Sequence, residues 1–99
     1  MCDNMDKIEA EKLLNDSREK LDIIDEKLIN LIIERTSLAG DIACSKKVLN
    51  KDLTDPQRES IIHDKISKLI EDKNINNDYV FEIFNILFKM SKEEQKKYL

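Results

Sequence analysis

Residues that turn or loosen a chain are nearly missing here: of 99 residues one is glycine and one proline, and there is no tryptophan. A β-sandwich needs turn signals every ten or so positions, and a disordered tail carries far more proline and glycine, so both classes are excluded. The cysteines, Cys2 and Cys44, and the lone His63 make neither a metal-ligand spacing nor a disulfide framework. No metal site is therefore expected, and Cys44 reads as an inert small residue. No apolar run approaches the roughly 18 residues of a membrane span, and the polar, acidic N-terminus has no apolar signal region. The expectation is a cytoplasmic protein. A net charge of −4 argues against a general role on nucleic acid or a membrane surface. Any anion site must be a local concentration of arginine and lysine.

What is present is the composition of an all-α protein: 40% hydrophobic and 38% charged residues. The length allows one domain, residues 1–99, with 1–7 and about 97–99 expected to fray. One long helix is predicted from about residue 8 to about residue 49. Its spine, Leu14, Leu21, Ile24, Leu28, Leu31, Leu38 and Ile42, falls on heptad a and d rows. No proline interrupts it, and Gly40 weakens it by about 1 kcal/mol relative to alanine. Such a rod is about 60 Å long, too long to be covered by the rest of its own chain. A second copy related by a two-fold axis is the simplest remedy.

Arg35 breaks the spine, taking an a position where leucine fits the pattern. Its neighbours three and four residues away, Leu31, Ile32, Leu38 and Ala39, offer no acid to pair with. Lys46 is similar, set among Ile42, Ala43, Leu49 and Asn50. Eleven residues apart, the two cations fall within about 20° of one face and roughly 16 Å apart along the axis. Together they can hold a small anion. Arg18 lies about 25 Å further back and about 100° round. It can reach the same anion only from an antiparallel partner, with the two-fold axis crossing near residue 29, in the middle of the apolar seam. An ordinary Arg18–Asp22 pair at i,i+4 is the competing reading.

Asp55 and Pro56 read as the cap and first position of a second helix, with a capping box from Thr54 to Gln57 as the competing start. That helix carries Ile62, Ile66, Leu69 and Ile70 on one face and ends near residue 72 or 73. Residues 74–78 form a loop whose Asn76, Asn77 or Asp78 caps a third helix, with Val80, Ile83, Phe84, Leu87 and Phe88 at helical spacing. Arg58 and Glu59 read either as first-turn charges or as site residues. Ser91 and Gln95 are either the polar end of the core or part of a site. His63 reads as a surface residue, and residues 92–97 as a solvated charge run.

Taken in order, these residues resemble the all-helical chorismate mutases of the AroQ class. The resemblance runs from about Leu14 to Gln95. It is carried by Arg18-Glu19-Lys20-Leu21-Asp22, Ile24-Asp25-Glu26-Lys27-Leu28, Glu34-Arg35, Leu38-Ala39, Lys46, Asp55, Arg58-Glu59, Ile83-Phe84, Ser91 and Gln95. No site position of the family's pattern is missing. The resemblance implies an intertwined antiparallel homodimer of three-helix chains, each site built from both subunits. It implies the Claisen rearrangement of chorismate to prephenate, without cofactor, metal or covalent intermediate. By the same resemblance, Arg35 and the partner's Arg18 bind the substrate carboxylates with help from Ser91. Lys46 and Gln95 donate to the ether oxygen, Glu59 accepts from the ring hydroxyl near Asp55, and Arg58 adds positive potential. Ile42, Ile62 and Phe88 wall the site. Phe88 is bulkier than the aliphatic residue the resemblance suggests, so a tighter pocket is expected. A neutral amide at Gln95 implies activity across neutral pH. Two other activities share the fold: an isochorismate pyruvate lyase, disfavoured by Glu59, and a non-catalytic dimerisation or regulatory module, disfavoured by the intact polar set.

Overall fold

Residues 4–99 are described by a computed structural model; Cys2, like the rest of 1–3, lies outside the described residues. The elements are four α-helices, α1 (Lys7–Ser37), α2 (Ala39–Val48), α3 (Pro56–Ile70) and α4 (Asn77–Gln95), then a 3-10 turn at Lys96–Tyr98. No strand occurs among the described residues, so the chain is all-α. Two compact units divide inside α1, between Ile33 and Glu34.

The first unit is helix. Asp6 opens it, its Oδ1 accepting the Glu9 N–H at 2.8 Å. No residue of α1 is buried in the single chain. Leu14, Leu21, Ile24, Leu28 and Leu31 are each half-exposed or more.

In the second unit, the helix expected to run unbroken to residue 49 is interrupted once, at Leu38. Glu34 O is the acceptor that a continuing helix would offer to the Leu38 N–H. The Ser37 hydroxyl donates to that same oxygen at 2.6 Å, a back-bond of the kind that competes with the helix ladder. The Leu38 N–H turns instead to Arg35 O, at 3.3 Å. Leu38 keeps helical angles, φ −76° and ψ −11°, so α2 continues almost in register and the face carrying Arg35 carries Lys46 as well. The interruption lies at Leu38, beside the Ser37 back-bond and two residues before Gly40. Gly40 instead makes room for a neighbour, since a Cβ built there would lie 3.1 Å from the Tyr98 ring. The missing side chain lets the C-terminal turn pack on α2. The last residues, expected to fray from about 97, are in this structure a 3-10 turn to Tyr98.

α2 ends in a Schellman motif. Asn50 takes the left-handed conformation, φ 55°, while Lys51 N–H reaches Lys46 O at 2.8 Å and Asn50 N–H reaches Lys47 O at 3.3 Å. The following loop leads to Asp55, whose Oδ1 accepts the Arg58 N–H at 3.0 Å. Asp55 is therefore the cap, Pro56 the first helical residue, and the Thr54 alternative is not used. α3 ends at Ile70, two or three residues earlier than expected, where Glu71 (ψ 134°) and Asp72 (φ 59°) make a turn closed by Lys73 N–H on Ile70 O. Asn76 caps α4, accepting the Tyr79 N–H at 3.0 Å. α4 packs on both α2 and α3, and among the described residues the buried ones are Ala39, Ala43, Ile66 and Gln95. His63 is exposed, as its sequence context suggests, but its ring stacks on Phe81 with centroids 4.1 Å apart.

Replacing a helical glycine by alanine normally stabilises by about 1 kcal/mol. Gly40→Ala alone is expected to gain less, because its methyl meets the Tyr98 ring, and the full gain should return in Gly40→Ala/Tyr98→Ala measured against Tyr98→Ala. Urea unfolding of the four proteins measures this.

Candidate active site

A cavity of about 590 Å³ opens in the second unit, a size suited to a small organic ligand. Arg35, Leu38, Ile42 and Lys46 form one wall. The loop adds Leu53 and Asp55, and α3 adds Arg58, Glu59 and Ile62. α4 closes it with Phe88, Ser91, Lys92 and Gln95. These four stand at i, i+3, i+4 and i+7, the spacing of a single helix face.

Seven of the eight residues singled out in the sequence thus meet at one cavity: Arg35, Lys46, Asp55, Arg58, Glu59, Ser91 and Gln95. Arg18 belongs to the first unit, is exposed, and is not a lining residue. No Arg18–Asp22 ion pair forms among the described residues.

The polar centre is a chain of hydrogen bonds. Lys46 Nζ donates to Leu53 O at 2.7 Å and to Gln95 Oε1 at 2.9 Å. Gln95 Nε2 donates to Ser91 Oγ at 3.0 Å. Gln95 is buried, 4% exposed, and no buried side-chain polar atom among the described residues lacks a partner. An ammonium has three donors and an amide nitrogen two, so Lys46 and Gln95 each keep one N–H after these bonds. Both residues line the cavity.

Arg35 sits at another part of the wall. Its Nη1 donates to Leu87 O at 3.3 Å, and its Cζ lies 5.8 Å from the centre of the Phe88 ring. No carboxylate among the described residues pairs with it. Burial, and then the neighbouring Arg58 charge, hold its pKa below the usual guanidinium value. A buried guanidinium whose charge is disfavoured in this way makes a place where an anion is favoured. Phe88, expected to tighten the pocket, presents a ring face to this cation.

Lys92 is not the solvated charge that its run of charged neighbours suggests. Its Nζ lies 2.9 Å from Glu59 Oε2, and the two side chains are only 25% and 31% exposed. The sequence does carry a signal for this, since Lys92 is four residues after Phe88 and three before Gln95. Ser45, Asp41 and Lys51 also line the cavity. Among the described residues no group of three or more His, Cys, Asp and Glu side chains is placed to hold a metal ion, and no helix is long and apolar enough to cross a membrane. Cys44 is free and exposed.

Gln95→Met keeps the length of the side chain but leaves Lys46 one acceptor short. A loss of about 1–3 kcal/mol is expected, read as a lower urea midpoint with an unchanged slope.

Comparison with known proteins points to one family. The family model of type II chorismate mutases matches residues 17–96. The chain is 43% identical over 86 residues to the chorismate mutase of Methanocaldococcus jannaschii, covering 87% of each protein. It is 32% identical over 82 residues to the bifunctional chorismate mutase/prephenate dehydratase of Buchnera aphidicola subsp. Schizaphis graminum, covering 83% of this chain but 21% of that one. A bifunctional protein of the same description from Enterobacter agglomerans is 27% identical over 74 residues, 19% of its length. No solved structure is a significant match. A family match over most of the sequence, together with a 43% identical relative of similar length, shows that the chain belongs to the type II chorismate mutases.

Proposed function

We propose that this protein is a chorismate mutase, converting chorismate to prephenate in aromatic amino acid biosynthesis, in the cytoplasm and without cofactor or metal. The observation that carries the reading is the Lys46–Gln95 pair, two hydrogen-bonded groups each with a donor to spare, at one cavity with Arg35.

The reaction is an intramolecular rearrangement. A catalyst for it must hold the flexible dianion in its reactive chair and stabilise the negative charge that gathers on the ether oxygen as its bond to the ring breaks. Arg35 meets one carboxylate with a forked guanidinium, assisted by Ser91, and Arg58 adds positive potential. The remaining N–H groups of Lys46 and Gln95 converge on the ether oxygen. Being bonded to each other and to Leu53 and Ser91, they need little reorientation as charge develops, and this preorganisation is the source of the rate. Glu59 accepts from the ring hydroxyl, near Asp55. Ile42, Ile62 and Phe88 keep water from the reacting atoms.

The second carboxylate is assigned to Arg18 of the partner subunit in an antiparallel homodimer. Two features support this: the half-exposed leucines and isoleucines of α1 form a stripe that a second copy would bury, and Arg18 is left without an ion-pair partner among the described residues.

The direct test is chorismate consumption by purified protein at neutral pH, with the product identified. Prephenate is the expected product; a folded protein that leaves chorismate untouched would overturn the reading, and isochorismate would then be the substrate to try. Lys46→Ala and Gln95→Ala should each lower kcat by about 10²–10³-fold, the usual effect of losing one such donor, and Arg35→Ala should lose most activity. Arg18→Ala mixed with Lys46→Ala should recover part of the turnover after subunit exchange, because a mixed dimer rebuilds one intact site. Recovery no greater than the sum of the two parents would count against a shared site.

A further inference from the structure

Lys92 is a charged residue at the cavity for which the proposed chemistry has no use. It touches none of the groups assigned to the carboxylates or the ether oxygen. Its partner is Glu59, whose Oε2 it meets at 2.9 Å. The two stand on different helices, Glu59 in the first turn of α3 and Lys92 in the last turn of α4, so the ion pair crosses the cavity rim. Both side chains are about one-quarter to one-third exposed. An ion pair in such a place is less screened than one on an open surface.

We infer that Lys92 is a positioning residue that selects for the substrate's ring hydroxyl by fixing the Glu59 carboxylate. The inference rests on the functional reading above. A glutamate at the start of a helix has several rotamers of similar energy, and most do not aim a carboxylate oxygen at a bound ring. Lys92 occupies Oε2, which pins the side chain and leaves Oε1 as the acceptor. Asp55 and Arg58, the other charged groups on this side of the cavity, are held differently: Asp55 by its capping bond to the Arg58 N–H, and Arg58 in the first turn of α3.

A distinct kinetic signature follows. The ring hydroxyl takes no part in bond making or breaking, so its bond to Glu59 is as strong in the ground state as in the transition state. Loosening it removes uniform binding, which raises KM and leaves kcat nearly unchanged. Lys92→Met keeps the length of the arm and removes its charge. It should raise KM for chorismate roughly tenfold, the lower end of what a hydrogen bond to a charged group contributes. Lys92→Arg should restore a value close to that of the unaltered protein. In a Glu59→Gln background, Lys92→Met should add nothing further, because the group it positions is already altered. With a chorismate analogue lacking the ring hydroxyl, Lys92→Met should have no effect.

The set of four proteins (unaltered, Lys92→Met, Glu59→Gln and the double variant) assayed with both compounds tests this, with circular dichroism checking the fold of each. A Lys92→Met effect that persists at full size in the Glu59→Gln background, or that is equal for the two compounds, would overturn the inference while leaving the mutase reading intact. An unaltered protein that does not turn over chorismate would overturn both, and is seen before any variant is made.

Discussion

The ammonium of Lys46 ties the second unit together. It joins three segments: its own helix α2, the loop at Leu53, and the far end of α4 at Gln95. Gln95 is buried, and a buried amide without partners is expensive. Its carbonyl depends on Lys46, as Lys46 depends on the carbonyls of Leu53 and Gln95 to leave bulk water. The Schellman turn at Asn50 brings the loop back over the end of α2, and at the start of α2 Gly40 lets Tyr98 pack close. The groups proposed to meet the ether oxygen are thus the same groups that hold the site's walls together. Preorganisation and local stability come from one network.

The placement of charge follows the same logic. A chain of net charge −4 lines one cavity with Arg35, Lys46, Lys51, Arg58 and Lys92 against Asp41, Asp55 and Glu59. Two of these acids are already engaged, Asp55 as a helix cap and Glu59 with Lys92. Arg35 and Arg58 line the same cavity, and burial, then the Arg58 charge, lowers the pKa of Arg35. The unpaired positive charge is concentrated where a carboxylate would relieve it, which is how an acidic protein can attract a dianion.

The first unit presents the opposite problem. Its apolar residues recur at heptad spacing and are still open to solvent in the single chain, which is the pattern of a helix whose partner is another helix. The proposed antiparallel homodimer answers this and supplies Arg18 in the same stroke.

Much of this is legible from residues alone. Helix starts near Asp55 and Asn76 are narrowed to within two residues by local chemistry, because a cap is a bond between residues three apart, and the structure chooses Asp55 over Thr54 and Asn76 over Asn77 and Asp78. Arg35 and Lys46 share a wall because helical periodicity carries across Leu38 with little error. Ser91 and Gln95 fall on one face for the same reason. The break at Leu38 is hidden, since serine back-bonds also occur inside unbroken helix, as at Ser67 in α3. Gly40 reads as a weakness in the helix because the ring that needs its space belongs to Tyr98, 58 positions later. Lys92 reads as solvent charge because its partner Glu59 is on another helix. Local bonds and periodic faces are written in neighbouring letters. Pairings between residues far apart in the chain depend on how helices pack and which rotamers that packing leaves open, and there the folded chain alone chose Glu59 for Lys92 and Gln95 for Lys46.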